Sequence, residues 1–397
     1  MNNNTSTKVV FVGDLCVSSD KFSFVKNGNQ IVLWNELRKV FSDNALLVAN
    51  LENPITNKKA GRPYKWANLK MSPKLHTILD GLSLAVIGNN HITDFGPQAV
   101  RETQELLESK NISYVGYGES LNDALKPVFL NVGDKKLGVV SLCCPTTNGE
   151  NLATHLTPGV APLGMVTLKK AVENARGLCD ALAVYLHWGC EFVNDPAPDQ
   201  LRLARYAIDC GADAVIGCHS HTIQSYENYK GRWIFYGLGN FLFKADHAQA
   251  IRENGEIEHI PLRLTPPNRE SLAVSFRVVP ERDGGPLMLD SIQPMHFGDD
   301  LVPKAIEITD LSFDIVTANA RLRAYVTKND AALNDRSEPV FRTQLRNGIL
   351  AHWYSVETIA PRPKPSFRRL IGKIGRGLKR ILKSMATDDI AMAGPRN

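Results

Sequence analysis

The chain of 397 residues is 43% hydrophobic, which is enough apolar material for a large buried core. Its 46 Lys and Arg nearly balance 41 Asp and Glu, so the net charge of +5 gives no argument for a nucleic-acid partner. Seven cysteines, an odd number in so long a chain, argue against a disulfide framework, and no stretch approaches the ~20 apolar residues of a transmembrane helix. Residues 1–8 also lack the apolar region of a signal peptide, so we predict a disordered N-terminus and a cytoplasmic protein.

Apolar runs that end in polar side chains alternate with amphipathic stretches along the first half of the chain. Helices are predicted at 34–41, 73–82, 97–110 and 200–210, and the third begins with Pro97, a residue favoured in the first helical turn. Five apolar runs are predicted strands, and they end at Gly13-Asp14, Glu52, Asn90-His91, His187 and Gly217-Cys218-His219-Ser220-His221. Further strands are predicted at 137–142 and 233–236. This alternation predicts an α/β fold.

The polar ends of these strands predict a metal site. Side chains two residues apart share one face of a strand, so His219 and His221 after the flexible Gly217 can direct both imidazoles into one cavity. Two neighbouring histidines are more often surface residues than ligands, but five strand ends with potential ligands are hard to explain by packing. Functional residues of α/β sheets gather at the carboxyl ends of the strands, where loops converge on a rigid support.

Six motifs follow one another in the chain: GD at 13–14, NLE at 50–52, NNH at 89–91, HWG-x-E at 187–191, GADAVIGCHSH at 211–221 and YGLGNFLF at 236–243. Together they resemble the CapA family of capsule-biosynthesis proteins, which belongs to the calcineurin-like metallophosphoesterase superfamily. The resemblance implies a four-layer α/β/β/α sandwich of the metallo-dependent phosphatase type at 9–310. The sequence pattern beyond it predicts a C-terminal helical extension at 311–360. The resemblance also implies an association with poly-γ-glutamate capsules, which some members have.

The same resemblance implies a ligand set for one or two divalent metal ions. The implied ligands are Asp14 and His221 for the first metal, Glu52 as the bridging carboxylate, and Asn90, His187 and His219 for the second metal. Such a mixture of oxygen and nitrogen ligands suits Mn²⁺, Fe or Zn²⁺ better than Ca²⁺.

One position departs from the superfamily pattern, which usually has a histidine two residues after the first aspartate. That position is Cys16, so the first metal keeps Asp14, Glu52 and His221. Cys16 is either a thiolate ligand of a soft metal or a small buried hydrophobic residue. A site with one metal ion is therefore an open alternative to a site with two.

Two further residues are candidates for proton transfer. His91 is expected either to be the general acid for the leaving oxygen or to be held by a neighbouring carboxylate such as Asp94. Glu191, four residues after His187, is expected either to orient a ligand or to act as an additional acid or base. The prediction is a CapA-like hydrolase of the phosphoesterase type, linked to capsule or cell-envelope polymer synthesis, with a phosphorylated or polymer-linked small-molecule substrate. The alternative is a repurposed metal scaffold, either an epimerase or lyase, or a non-catalytic accessory of capsule synthesis.

The last third of the chain has a different pattern. Segments 272–279 and 287–292 lack an intervening helix and are separated by the turn signal at 281–285, which predicts an antiparallel hairpin. Residues 305–353 have a helical pattern. A Pro-rich linker begins at 361, and apolar residues at 367–385 recur every three or four positions among Lys and Arg, with no Asp or Glu from Lys364 to Thr387.

This basic amphipathic stretch predicts a helix that binds anionic membrane surfaces. The alternative is an ordinary helix that packs on its own domain or on a second subunit. We therefore predict a cytoplasmic protein that is peripheral at the inner membrane face and has no nucleic-acid partner.

Overall fold

The computed structural model of the chain describes residues 7–18, 37–63, 65, 67–148, 151–252, 254–280, 285–300 and 302–334. These residues all belong to one compact unit, Met1–Gly348. Residues 1–6 of the predicted disordered N-terminus, the end of the predicted helical extension and the predicted linker and basic helix at 361–397 lie outside the described residues. Within the described part, no helix combines the length and apolarity needed to cross a membrane.

The described residues form β-strands and helices from one end to the other. The strands are β1 (Lys8–Val17), β2 (Leu46–Leu51), β3 (Leu84–Val86), β4 (Ser113–Val115), β5 (Tyr117–Gly118), β6 (Val128–Val132), β7 (Lys135–Cys143), β8 (Gly159–Val160), β9 (Ala181–His187), β10 (Ala214–Cys218), β11 (Tyr226–Tyr229), β12 (Arg232–Phe235), β13 (Asn240–Lys244), β14 (His247–Ile251), β15 (Ile257–Pro261), β16 (Glu270–Val278), β17 (Leu287–Phe297) and β18 (Pro303–Ala305). The α-helices are 37–41, Pro97–Ser109, Leu121–Ala124, Pro145–Asn148, Met165–Arg176, Pro198–Asp209, Ile315–Lys328 and Asp330–Asn334. The 3₁₀ helices are Pro73–Leu79, Pro266–Arg269 and Ile308–Asp310.

Two large sheets carry the fold. The first sheet has the order β18-β17-β16-β1-β2-β3-β4, and β13 also pairs with β1. The second sheet has the order β11-β12-β10-β9-β7-β6. Strands β1 to β4 are parallel, as are β7, β9, β10 and β12, so the carboxyl ends within each set point to one edge.

The sheets face each other across an apolar layer. Phe11 and Phe276 of the first sheet meet edge to face with ring centroids 6.0 Å apart, and Phe11 lies 6.5 Å from the Tyr185 ring of the second sheet. The buried Tyr185 hydroxyl donates a hydrogen bond of 2.8 Å to the Val12 carbonyl across the layer, which satisfies a polar group that burial would otherwise penalise. This layer therefore fixes how the two sets of strand ends meet.

Helices cover the outer faces of both sheets. Val100 and Leu107 of helix Pro97–Ser109 belong to the apolar core on the outer face of the first sheet. Leu168 and Leu201, from helices Met165–Arg176 and Pro198–Asp209, belong to the core on the outer face of the second. The predicted α/β/β/α sandwich is thus confirmed. Helix Ile315–Lys328 follows it, and Leu322 joins the second outer core.

Most predicted elements have the expected type but not the expected ends. The antiparallel pairing of β16 and β17 confirms the predicted hairpin, and the second and fourth apolar runs are β2 and β9. The segment predicted as a helix at 73–82 is a 3₁₀ helix that stops at Leu79, because Asp80 N bonds to Thr77 O at 3.2 Å and tightens the last turn. Strand β1 does not end at Asp14: it continues to Val17, with a bulge between Asp14 and Leu15.

Gly217 allows the end of β10 to pack closely against Tyr236 and Trp188. A Cβ atom on Gly217 would lie 2.0 Å from the Tyr236 carbonyl oxygen and 2.5 Å from Trp188 Nε1. The Trp188 indole donates a hydrogen bond of 2.9 Å to that same carbonyl, so neither group can move away from Gly217 without weakening this hydrogen bond. The glycine that precedes the histidine pair is therefore a packing requirement as well as a turn signal.

We expect Gly217→Ala to lower the free energy of unfolding by at least ~2 kcal/mol, because backbone and a hydrogen-bonded ring must shift to admit the methyl group. Urea denaturation followed by circular dichroism measures this. Gly177→Ala is the matched control, since Gly177 ends helix Met165–Arg176 with a φ of −77° and has no atom within 4 Å of the added Cβ. Equal unfolding midpoints for the two variants would contradict the packing argument.

Candidate metal centre

The six residues predicted as ligands converge at the carboxyl ends of strands from both sheets. Asp14 lies at the bulge of β1, and Glu52 directly follows β2. Asn90 lies in the loop after β3, His187 is the last residue of β9, and the histidine pair follows β10. Each of the six is at most 6% exposed. A cluster of this kind is a deep site rather than a surface patch.

The side chains form two groups that share one carboxylate. In the first group, one ligand atom each from Asp14, Glu52 and His221 lie within 4.8 Å of one another. In the second, the same holds for Glu52, His187 and His219. Asn90 Oδ1 lies 2.8 Å from His187 Nε2, which adds an oxygen ligand to the second group. The structure therefore brings all six predicted ligands together, with Glu52 between the two groups.

The polar atoms of this cluster fit a divalent metal. Both carboxylate oxygens of Glu52, and also His219 Nδ1, are buried without a hydrogen-bond partner among the described residues. Such groups are costly to bury unless a cation or a hydrogen bond satisfies them. Burial raises the pKa of Glu52 well above its usual value, although the nearby His221 lowers it. One or two cations between the groups would give these atoms partners.

The charge states of two of the three histidines agree with such a role. Burial lowers the pKa of His219 to about 4 and, with the neighbouring His219 ring, holds the pKa of His187 well below its usual value. Both rings are therefore neutral at pH 7, the form that binds metals. Burial also lowers the pKa of His221, but the negative charge of Glu52 and a hydrogen bond with Asp14 raise it to about 10. The carboxylates of Asp14 and Glu52 thus stabilise positive charge at the position of His221.

Neighbouring side chains fix the orientation of the ligands. His187 Nδ1 lies 3.2 Å from Cys218 Sγ, so its Nε2 faces Asn90. His221 Nδ1 lies 2.9 Å from Asn240 Oδ1, and its Nε2 lies 3.6 Å from Glu52 Oε1. Contacts of this type select the ring tautomer and hold the ligand in place before a metal binds.

The backbone of the histidine pair is also constrained. His219 has a φ of 92° and His221 a φ of 54°, both in the region that favours glycine. Strain of this kind costs about 1–3 kcal/mol per residue and persists where the surrounding structure enforces it. Asp14 Oδ2 accepts a hydrogen bond of 3.2 Å from His219 N, and Asn50 Nδ2 donates one of 2.8 Å to Asp14 Oδ1.

The predicted general acid lies beside this cluster and is itself held. His91 Nδ1 lies 2.7 Å from Asp94 Oδ2, and Lys65 Nζ pairs with the other Asp94 oxygen. Lys65 also donates to the Asn90 carbonyl, which ties the ligand and the acid to one ammonium group. Burial and the Lys65 charge lower the pKa of His91. With Nδ1 engaged by Asp94, Nε2 is the nitrogen left to face a substrate.

Two other predicted positions have different surroundings. The Glu191 carboxylate lies within 4.8 Å of ring nitrogens of His219 and His221, so it is close enough to influence either ligand. Cys16 is buried in the outer core of the first sheet and, within the described part of the chain, belongs to no ligand group. Burial raises the pKa of its thiol well above the usual value. These surroundings favour the interpretation of Cys16 as a small buried hydrophobic residue over its interpretation as a thiolate ligand.

Sequence reasoning missed Lys65 and Cys218 as parts of the site. Cys218 lies between the glycine and the first histidine of the β10 motif, and its contact with His187 follows from the parallel pairing of β10 with β9. The position of Cys218 inside the histidine motif could therefore have indicated its place in the site. Lys65 lies in an irregular loop before Asn68, with no motif around it, so only the folded chain reveals its three contacts with the His91 loop.

Sequence comparison relates the chain to capsule proteins. A family model described as "Bacterial capsule synthesis protein PGA_cap" matches residues 8–245. The capsule biosynthesis protein CapA of Bacillus anthracis is 28% identical over 282 residues, which cover 66% of this chain and 68% of that protein. The PGA biosynthesis protein CapA of Bacillus subtilis (strain 168) is 32% identical over 242 residues, which cover 59% of this chain and 62% of that protein.

Comparison with solved structures gives a more distant match. The sulfate thiohydrolase SoxB of Thermus thermophilus superposes with a TM-score of 0.39 and 13% sequence identity, over 82% of this chain and 61% of that chain.

We expect His219→Ala and Asn90→Ala each to lose bound metal while the fold is retained, because both side chains lie at strand ends outside the apolar cores. Plasma mass spectrometry after dialysis measures the metal, and circular dichroism checks the fold. His296→Ala, a half-buried histidine of β17 away from the cluster, is the control and should keep its metal. Stoichiometric metal in both ligand variants would disprove the site.

Proposed function

Because this chain belongs to the PGA_cap family of bacterial capsule synthesis proteins, we propose that it is a metal-dependent hydrolase of the phosphoesterase type that acts in capsule or cell-envelope polymer synthesis. The observation that carries the proposal is the buried carboxylate of Glu52, which has no hydrogen-bond partner in the described part of the chain and is common to two groups of ligand atoms. The proposed substrate is a phosphorylated or polymer-linked small molecule.

The proposed centre uses one or two divalent ions, Mn²⁺, Fe or Zn²⁺, held by Asp14, Glu52, Asn90, His187, His219 and His221. Such ions neutralise charge on phosphoryl oxygens and lower the pKa of bound water from 15.7 towards ~7. Hydrolysis at neutral pH then needs a proton donor for the leaving oxygen from the protein.

His91 is the proposed proton donor, with Asp94 as its positioning residue. The Asp94 carboxylate accepts the Nδ1 proton at 2.7 Å and stabilises the protonated ring, so that Nε2–H can protonate the leaving oxygen. Asp94 is itself fixed by Lys65 and by a hydrogen bond of 2.7 Å from Leu69 N. Glu191, near His219 and His221, is proposed as an orienting group or an additional acid or base.

We expect His91→Ala to keep its metal and to lower kcat by ~10²–10⁴, the usual contribution of a positioned general acid or base. The assay is hydrolysis of aryl phosphates and phosphodiesters by protein loaded with Mn²⁺ or Zn²⁺. The loss should grow as the leaving group becomes more basic, because a good leaving group needs less protonation. His296→Ala should behave as the wild type, and unchanged turnover of a substrate with a poor leaving group would reject the role of His91.

A second function remains a candidate because of Cys16. The superfamily's usual histidine is absent at that position, and the thiol lies in an apolar core rather than with the ligands, so three of the predicted ligands, Asp14, Glu52 and His221, form the first group among the described residues. A protein with this site could do proton-transfer chemistry, as an epimerase or lyase, or assist capsule synthesis without catalysis. Wild-type protein that binds metal stoichiometrically but hydrolyses none of the phosphate esters would favour this candidate.

We also propose that the basic segment 367–385 binds anionic membrane surfaces. It lies outside the described residues, so the sequence supports the proposal: seven Lys and Arg from 368 to 383 with no acidic residue among them. Each basic residue near an anionic surface contributes ~1 kcal/mol. Gly372, Gly375 and Gly377 each cost ~1 kcal/mol of helix propensity, which binding to lipid would offset. Lipid-linked envelope precursors are within reach of a protein held at such a surface.

We expect full-length protein to sediment with anionic liposomes at low salt, and protein truncated after Ala360 to stay in the supernatant with its metal retained. High salt should release the full-length protein, because screening weakens charge interactions at a surface. Liposomes of neutral lipid are the control. Equal sedimentation of the two forms would reject the membrane role of the segment and leave the metal centre unaffected.

A further inference from the structure

Phe192 is an exposed aromatic residue beside the candidate metal centre. It is 46% exposed, whereas the neighbouring His221 is 6% exposed. The centroids of the two rings lie 5.9 Å apart, and the ring planes are inclined at 32°. Glu191, the residue before Phe192, has its carboxylate within 4.8 Å of ring nitrogens of His219 and His221. The loop after β9 therefore places an apolar surface in solvent directly beside the proposed ligands.

The backbone of Phe192 is strained, and hydrogen bonds enforce the strain. Its φ is 64°, in a region that bulky side chains rarely adopt. Phe192 N donates a hydrogen bond of 2.7 Å to the carbonyl of Ser220, which lies between the two histidines. The carbonyl of Val193 accepts hydrogen bonds from Gln224 Nε2 at 2.7 Å and from Thr222 Oγ1 at 3.3 Å. Strain that is enforced in this way gathers at functional sites, where it fixes the position of a side chain.

Other contacts explain the orientation of His221. The buried Phe243 packs edge to face on the His221 ring, with centroids 5.0 Å apart, and belongs to the apolar core on the outer face of the first sheet. Asn240 Oδ1 lies 2.9 Å from His221 Nδ1. Phe192, by contrast, belongs to none of the three apolar cores that the described residues form. The His221 ring is thus held from its buried side without Phe192.

An exposed, strained phenylalanine is unfavourable for the protein alone. Its apolar ring remains in water, and its backbone conformation costs free energy. Val193 is 38% exposed and adds a second apolar side chain to the same loop. A ligand with a flat apolar group would remove the Phe192 ring from water, because aromatic rings pack on such groups in stacked or tilted arrangements.

We propose that Phe192 determines substrate specificity by stacking on a flat apolar group that the substrate carries next to its phosphoryl group. The proposal rests on the metal centre of the proposed function, which holds the phosphoryl group. It does not require the bound molecule to be hydrolysed, so binding alone tests it.

The test is isothermal titration calorimetry of Zn²⁺-loaded full-length protein with phenylphosphonate and, separately, with methylphosphonate. We expect the wild type to bind phenylphosphonate at least about tenfold more tightly, because stacking and burial of a phenyl ring supply a free energy of that size. Phe192→Ala should reduce this preference by about fivefold or more and leave the affinity for methylphosphonate unchanged. Phe192→Tyr keeps an aromatic ring and should retain the preference.

Phe192→Gly separates the effect of the strain from that of the ring. Glycine adopts a positive φ at little cost, so this variant should unfold in urea at a midpoint at or above that of Phe192→Ala. It should keep its Zn²⁺, measured by plasma mass spectrometry, and still lose the preference for phenylphosphonate. Loss of Zn²⁺ from both variants would show that the ring holds His221 rather than a substrate, and would overturn the proposal.

Phe129→Ala is the matched control for the loss of a phenyl ring. Phe129 lies on β6 opposite Gly138, which is itself opposite Leu182, near the end of β9 that is distant from His187. This variant should keep the wild-type preference for phenylphosphonate.

The outcomes distinguish the stacking role from the proposed hydrolase. Equal preferences in the wild type and Phe192→Ala, or a wild type without a preference, would overturn the stacking role and leave the metal centre unaffected. Wild-type protein that binds neither phosphonate would overturn both. A preference that depends on Phe192, in a protein that hydrolyses no phosphate ester, would support the stacking role and reject the hydrolase alone.

Discussion

The site depends on one constraint, a fully buried carboxylate to which no described residue donates a hydrogen bond. Glu52 is 0% exposed, and its contact with His221 Nε2, at 3.6 Å from Oε1, is an ion pair rather than a hydrogen bond. A buried carboxylate without hydrogen bonds is unfavourable by several kcal/mol unless positive charge compensates it. The surroundings are arranged for that compensation: neutral imidazoles on one side, and on the other a histidine whose raised pKa reports the negative field.

The two sheets make this arrangement rigid. Ligands from β1 and β2 meet ligands from β9 and β10 only because the sheets are held face to face, and the hydrogen bond from the Tyr185 hydroxyl to the Val12 carbonyl fixes that contact two residues before Asp14. The ligands then need little reorganisation when a cation binds, since Cys218 and Asn240 already hold the imidazoles. The loop with His91 is connected to the same support through Lys65 and the Asn90 carbonyl.

The sequence was most informative where chemistry follows a periodic strand. The ligands could be predicted to converge because parallel strands place their carboxyl ends at one edge, whatever the details of the loops. The sequence was less informative where irregular backbone determines the position of a side chain. Lys65 and Arg62 lie in a loop whose path does not follow from residue propensities, so the sequence does not predict that either residue lies near His91. Helix Met165–Arg176 was missed because Gly164 gives it no side-chain cap. The Gly13-Asp14 pair was read as a strand end, although β1 continues beside β13.

Strand β1 pairs with β16 along its first half and with β13 along its second, so that Lys8 lies opposite Arg277 and Asp14 opposite Asn240. During synthesis the ribosome therefore releases the first metal ligand long before the strands that flank it, and contacts so distant in sequence form slowly. Until β13 has emerged, β1 has only β2 as a neighbour, and the first half of its other edge exposes unpaired backbone groups until β16 follows. The nascent chain thus depends on β13 and β16 to cover the strand that carries Asp14, although the proposed ligands are all made earlier, which makes late synthesis the period of greatest risk of aggregation.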